Sequence, residues 1–99
     1  MSQTSVLNAA QVHNLAGQMD DISHRICDVL NRYLDRMSAE IERHGGIIDK
    51  FIGDEIMALF GAPVAQDDSA ARALSTALAM ERALAKLNTE FAAEAAANP

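Results

Sequence analysis

The side chains that could do chemistry in this chain are few. The three histidines have no short metal-ligand spacing, and no Ser-His-Asp or Cys-His pattern is present. Asp54 follows Gly53 in an ordinary turn sequence, and Lys50 lies in an apolar run where a charge discourages pairing of strand edges. By residue type alone, we expect capping, turn and surface roles for these residues rather than a catalytic centre.

The segment around Lys50 and Asp54 predicts a β-hairpin. Two β-rich runs, 47–52 and 55–60, flank the two-residue turn, where Gly53 supplies the positive φ that the turn needs. A proline at position 63 helps to end the second strand, because proline cannot donate to a sheet ladder. Both faces of the hairpin are apolar, so further strands must come from the first residues, from a second chain, or from a domain that continues beyond Pro99.

Two helices are expected before the hairpin. Residues 5–19 have an apolar spacing of three and four that favours a short helix over a strand, and Gly17 and the following aspartates predict a break near residues 17–20. A second amphipathic helix runs from Ile22 to Ile41, and its pattern predicts that Cys27 is buried. It ends at His44-Gly45-Gly46, where a glycine can adopt the left-handed conformation that closes a helix.

One helix is expected after the hairpin, beginning at Asp67, Asp68 or Ser69. Its apolar positions alternate by four and three over about three heptads, which favours a helix packed on its own sheet over a free coiled coil. These positions are Ala73, Ala77, Met80, Leu84, Leu87 and Phe91.

Size and charge limit the possible functions. Ninety-nine residues make one small domain, and the net charge is −6. Because nucleic-acid binding depends mainly on Lys and Arg neutralising phosphates, we expect no nucleic-acid partner. No stretch approaches the ~18 apolar residues that span a bilayer, and no basic residue precedes an apolar run at the start, so a cytoplasmic protein without a membrane segment is expected.

The hairpin and its flanks resemble one known family. The segment from His44 to Pro63, HGGIIDKFIGDEIMALFGAP, closely resembles the central block of the class III adenylate/guanylate cyclase catalytic domain. Residues 30–37 look like the family's preceding helix, and residues 68–80 with Leu87-Asn88 look like the following one. The resemblance covers roughly residues 15–88 of a single truncated domain, 1–99, in which 1–14 diverge and 92–99 are expected to fray.

The resemblance implies roles for three residues. Asp54 matches the second of two aspartates that hold the catalytic Mg²⁺ or Mn²⁺, and a carboxylate at a rigid hairpin tip can bind a hard divalent cation. Lys50 matches the purine-selecting lysine, whose ammonium can donate to a ring nitrogen of adenine, so adenylate is preferred over guanylate. An ungapped match places the first metal aspartate at Asn8, a weaker ligand, although a helix over residues 5–16 would remove the strand that carries it.

The resemblance also implies a fold and an activity. The fold is α+β, a partial ferredoxin-like nucleotide cyclase fold with the order α-α-β-β-α, helices on one face of the sheet, completed by oligomerisation or by missing strands. In the complete domain, ATP becomes cyclic AMP and pyrophosphate when the ribose 3′-hydroxyl attacks the α-phosphorus, at sites shared between two domains. The family's later half carries the second purine contact and the Asn and Arg that stabilise the transition state, so we expect this chain alone to be inactive.

The alternative is a noncatalytic cyclase-like module for dimerisation or regulation. It would form a homo-oligomer, or pair with a cyclase domain, through the hairpin and an apolar stripe on the last helix. We expect that stripe to consist of Met80, Leu84, Leu87 and Phe91.

Overall fold

The computed structural model describes residues 8–97 as two long helices joined through a β-hairpin. In chain order these are α1 (Ala9–Arg43), β1 (Ile47–Ile52), β2 (Glu55–Leu59) and α2 (Ser69–Ala97). The predicted combination of helices with a small antiparallel sheet is confirmed. The predicted order α-α-β-β-α is wrong, because one continuous helix replaces the first two.

Helix α1 begins at Asn8 and has no break near residues 17–20. The Asn8 side chain accepts a hydrogen bond from the Gln11 amide (2.8 Å), and the Gln11 side chain accepts one from the Asn8 amide (3.0 Å), which together form a capping box. Gly17 costs only about 1 kcal/mol relative to alanine, and the apolar repeat continues across it. Residues 9–16 therefore form a helix, as the apolar spacing predicted, and not a strand. Residues 5–7, which the same prediction included, lie outside the described residues.

The end of α1 is a Schellman closure. The Gly45 amide donates to the Glu42 carbonyl (3.1 Å), and the Gly46 amide donates to the Ile41 carbonyl (2.9 Å). Gly45 has a φ of +83°, which favours glycine. Gly46 is required by packing instead, since a Cβ there would lie 2.7 Å from side-chain atoms of Ile41 and of Phe60. The closure turns the chain sharply into β1.

The hairpin has the predicted two-residue turn and one irregularity. Ile52 pairs with Glu55 across Gly53-Asp54, and the positive φ of Gly53 (+61°) is typical of a type II′ turn. A register shift between Ile48 and Lys50 leaves Asp49 as a β-bulge. Because of this bulge, Ile48 and Phe51 share a face with Ile56, and Lys50 lies on the opposite face with Met57.

Helix α2 packs antiparallel against α1 and makes no close backbone contact with either strand in the described part of the chain. The prediction that it packs on its own sheet is wrong, because α1 covers the inner side of the hairpin. Met37 and Ile41 of α1 and Leu87 of α2 are at most 2% exposed and form the core together with Thr76. The face of α2 that packs against α1 differs from the predicted heptad stripe. Thr76, outside that stripe, is buried, whereas Ala77 and Leu84, which belong to it, are exposed.

The outer parts of both helices differ from expectation. Cys27 is exposed rather than buried, and it does not line the grooves that its neighbours Ile26 and Asp28 border together with α2. Residues 92–97 are part of α2 in the structure, and residues 98–99 lie outside the described part. Within residues 8–97, neither helix has an apolar stretch long enough to cross a bilayer.

An ion pair joins α1 to the last turns of α2. The guanidinium of Arg32 donates to both carboxylate oxygens of Glu94, at 2.7 and 2.9 Å, and lies 4.5 Å from the ring centroid of Phe91. The hydrogen bonds from Arg32 lower the pKa of the Glu94 carboxyl below its ordinary value of 4.5. The Arg32 pKa is raised by the same contact.

This pair predicts a local loosening of α2 in acid. A lowered pKa means that the contribution of Glu94 to stability is complete above pH 4.5 and is lost as the pH falls through the lowered value. We expect faster amide hydrogen exchange at residues 90–97 below that pH, measured relative to residues 76–87. Glu94→Gln should remove most of this pH dependence. An unchanged profile in that variant would show that other carboxylates cause it, such as Asp68, whose pKa Arg72 lowers.

Candidate functional site at the hairpin tip

The turn places Asp54 beside the middle of α1. Asp54 is exposed and borders an open groove of about 660 Å³ between α1, α2 and the hairpin tip. The walls of this groove are mostly apolar and include Tyr33, Leu84 and Phe91. Asp54 is the only carboxylate among the residues that line it, and Arg25 is the only cation. An exposed carboxylate thus lies at the rim of a large apolar groove.

A second open cavity, of about 520 Å³, lies on the other side of Asp54. Its lining includes Tyr33, Asp54, Glu55 and Met80. Asp54 and Tyr33 border both cavities, so the two spaces meet at the hairpin tip. In the sequence, Tyr33 is one of the apolar positions of the amphipathic helix expected from Ile22 to Ile41. The signal that could have identified it is that it is the only tyrosine in the chain.

The acidic residues at the tip fit a hard divalent cation in part. Asp54 and Glu55 supply carboxylate oxygens, which Mg²⁺ and Mn²⁺ prefer. Over residues 8–97, no group of three or more His, Cys, Asp or Glu side chains is placed to hold a metal. Magnesium, however, commonly binds through one or two carboxylates together with substrate phosphates and water. The carboxylates of Asp54 and Glu55 could therefore hold such an ion only together with ligands from outside the described residues.

Lys50 lies on the outer face of the hairpin. Its side chain is 58% exposed, and its ammonium is 3.8 Å from the carboxylate of Asp49. It pairs across the strands with Met57, and it lines neither of the two cavities that Asp54 borders. Within one chain, the structure thus does not bring Lys50 and Asp54 into a common space.

Asn8 is far from the hairpin tip. It caps the first turn of α1, 25 residues before Tyr33, and a rise of ~1.5 Å per residue separates the two by about 38 Å. The strand that would have carried Asn8 to the metal is absent from residues 8–16, which form the cap and a helix. Asn8 and Asp54 of one chain therefore cannot hold the same metal ion in this conformation.

The predicted interface stripe on α2 is only partly available. Leu87 is 1% exposed, so its side chain is not accessible to a partner in the conformation of the single chain. Met80 and Phe91 are half-buried, and Leu84 is exposed. Further exposed apolar side chains lie on the hairpin, where Ile47, Phe51, Ile52 and Met57 are each at least 43% exposed.

Comparison with curated proteins points to nucleotide cyclases. No family model matches the chain. It is 48% identical over 61 residues to the adenylate cyclase of Anabaena cylindrica and 38% identical over 61 residues to adenylate cyclase 1 of Rhizobium meliloti. Each match includes 62% of this chain but only 11% and 9% of the two relatives, so the chain spans about a tenth of their length.

Two solved structures share the fold of most of the chain. The adenylyl cyclase CyaB from P. aeruginosa aligns with a TM-score of 0.69 and 37% identity, over 72% of this chain and 37% of that one. The guanylyl cyclase Cya2 aligns with a TM-score of 0.66 and 43% identity, over 69% of this chain and 34% of that one. Over the part that these alignments cover, the chain is therefore related to the class III adenylate/guanylate cyclases.

Proposed function

We propose that the chain forms part of an adenylate cyclase catalytic domain, which converts ATP to cyclic AMP and pyrophosphate. The observation that carries this proposal is the exposed carboxylate of Asp54 on a type II′ turn, between two open cavities that meet at the hairpin tip. The similarity to the adenylate cyclases of A. cylindrica and R. meliloti supports it.

The reaction is an intramolecular phosphoryl transfer. The bond from the ribose 3′-oxygen to the α-phosphorus forms while the bond from that phosphorus to the bridging oxygen of pyrophosphate breaks. Asp54 would hold Mg²⁺ or Mn²⁺ at the tip, with Glu55 next to it in the smaller cavity. The bound metal would supply activation of the attacking hydroxyl and charge neutralisation at the phosphates. Lys50 would donate to a ring nitrogen of adenine and so select ATP.

The separation of Lys50 from Asp54 favours a site shared between two domains. Lys50 lies on the outer face of the hairpin and Asp54 borders the cavities beside α1, so one chain does not present both to one nucleotide. In a shared site, Lys50 of one domain reads the purine while Asp54 of the other holds the metal near the phosphates. This arrangement accounts for both residues without moving the hairpin.

Activity is expected only in a complete domain. Phosphoryl transfer depends on several charged groups around the transition state, and Arg25 is the single cation that lines the cavities bordered by Asp54. The isolated chain should therefore form no cyclic AMP from ATP and Mn²⁺. A chimera in which the 61 matched residues replace the corresponding segment of the A. cylindrica enzyme should form cyclic AMP within about tenfold of that enzyme. A folded but inactive chimera would contradict the proposal.

The second candidate is a noncatalytic module that assembles with another cyclase domain or with itself. The exposed apolar side chains of the hairpin favour it, since exposed apolar patches mark interaction surfaces. Asp54→Asn separates the two candidates. Metal and nucleotide binding should be lost in that variant if the chain contributes a half-site, whereas self-association should survive if the chain serves only in assembly.

A further inference from the structure

The first half of α1 extends beyond the end of α2, which reaches His24, and carries an exposed apolar stripe. Only the last two residues of this stripe, Ile26 and Val29, also border the groove next to Asp54. Every residue from Asn8 to Val29 is exposed, and the molecule is elongated, with extents of 69 × 30 × 25 Å. The apolar side chains of this stripe are 43% to 68% exposed. We call it the N-terminal stripe; it consists of Val12, Leu15, Met19, Ile22, Ile26 and Val29.

The spacing of the N-terminal stripe indicates which kind of surface covers it. Its positions are separated by three, four, three, four and three residues, a heptad repeat without interruption. A repeat of 3.5 residues keeps one seam facing a partner helix in a two-stranded, left-handed coiled coil. The buried face of α2 already packs against the second half of α1. The partner helix must therefore come from another molecule, and a second copy of this chain has a helix with the same repeat.

The charges beside the N-terminal stripe suit pairing between identical chains. The positions that flank its seam are uncharged up to Ser23, and Arg25 is the first charged one. The aspartates of this part of α1, Asp20, Asp21 and Asp28, lie at positions away from the seam. Two chains with a net charge of −6 each can therefore approach along this line without facing carboxylates. The uncharged flanking positions are Gln11, Ala16, Gln18 and Ser23.

The helical state of this segment also requires packing. Helices of fewer than about 12 to 15 residues are marginal in water even with favourable sequences. The projecting part of α1 contains Gly17, Asn14 and two adjacent aspartates, all of which have low helix propensity. Burial of the N-terminal stripe against a partner would supply the stability that these residues do not.

We propose that residues 12–26 of α1 pair with the same residues of a second copy, as a parallel, in-register, two-stranded coiled coil. Parallel pairing places both hairpins and both α2 helices at the same end of the coil. An antiparallel pair would instead direct the first turn of each α1 toward the end of the partner's α2, which reaches His24 of its own α1. The proposal concerns a surface separate from the hairpin tip, and it stands independently of the proposed function.

Sedimentation equilibrium of the full chain tests the pairing. The wild type should be a dimer, and Leu15→Glu should raise the dissociation constant about 100-fold, because it places a carboxylate in the seam. Asn14→Glu, which adds the same charge on the adjacent residue away from the seam, should change it less than about threefold. Leu15 is exposed in the single chain, so its substitution should leave the fold of the body intact. A monomeric wild type, or equal effects of the two variants, would overturn the proposal.

Disulfide cross-linking tests the orientation. In a Cys27→Ser background, Val12→Cys should form an interchain disulfide under mild oxidation, because Val12 faces its own copy only in a parallel, in-register pair. In an antiparallel pair, Val12 would face the region of Ile26 instead. A dimer that is weakened by Leu15→Glu but does not cross-link through position 12 would overturn the parallel register.

Discussion

Asp54→Asn is expected to abolish binding of Mn²⁺ at the hairpin tip. In the wild-type chain, the paramagnetic ion should broaden the amide resonances of Gly53, Asp54 and Glu55 selectively, and more strongly when ATP is present. Asparagine retains one neutral oxygen donor but loses the charge that a hard cation prefers. We therefore expect at least a tenfold loss of apparent affinity, measured by titration of isotopically labelled chain. The type II′ turn should be unaffected, since its positive φ belongs to Gly53.

The matched control for this experiment is Asp49→Asn. It makes the same chemical change in the same hairpin, but at the β-bulge, where the carboxylate lies beside Lys50 and lines neither cavity. Broadening near the tip should persist in Asp49→Asn. If both variants reduce it equally, the ion is attracted by the overall negative charge rather than held by Asp54. If broadening survives in Asp54→Asn, the proposed metal half-site is wrong for this chain.

Lys50→Glu is expected to reverse the nucleotide preference of the chimera with the A. cylindrica enzyme. An ammonium only donates hydrogen bonds and suits a ring nitrogen acceptor of adenine, whereas a carboxylate only accepts them and suits the ring N–H and amino group of guanine. We expect kcat/KM for ATP to fall about 100-fold and that for GTP to rise, because a group that pairs with the purine is replaced by one that repels it. Formation of cyclic AMP and cyclic GMP measures both.

Lys86→Glu is the control, because Lys50 and Lys86 are the only lysines of the chain. Lys86 lies on α2, borders neither cavity next to Asp54, and is exposed, so the same change of charge there should leave the preference for ATP in place. If Lys50→Glu retains full selectivity for ATP, the purine contact proposed for Lys50 is wrong. The lysine would then serve to discourage pairing at the strand edge.

Several sequence signals predicted their structures because they are local. Gly53-Asp54 between two β-rich runs is a two-residue hairpin turn, and its conformation depends on the residues that it joins. His44-Gly45-Gly46 closes α1 through hydrogen bonds to residues three to five positions earlier. The block from His44 to Pro63 also carried the resemblance to nucleotide cyclases, which the comparisons support. The roles of Asp54 and Lys50 in metal and purine binding stay predictions.

Other signals failed where a local preference competed with a longer pattern. Gly17 and the aspartates after it predicted a helix break, but the capping box at Asn8 and the unbroken apolar repeat outweigh a single glycine. The alternation of residues along the strand could not reveal the bulge at Asp49. Without the bulge, Lys50 would lie on the same face of the hairpin as Ile48; with it, Lys50 lies on the opposite face.

The sequence by itself determined the element types, the turn, the helix closure and the resemblance to nucleotide cyclases, because each depends on residues close together in the chain. Only the tertiary structure decided which surfaces meet. It placed α2 on α1 rather than on the sheet, buried Leu87, brought Tyr33 next to Asp54, and left the apolar side chains of α1 from Val12 to Ile22 exposed. These outcomes depend on how much apolar area each pairing of elements buries, and that sum involves residues distant in the chain.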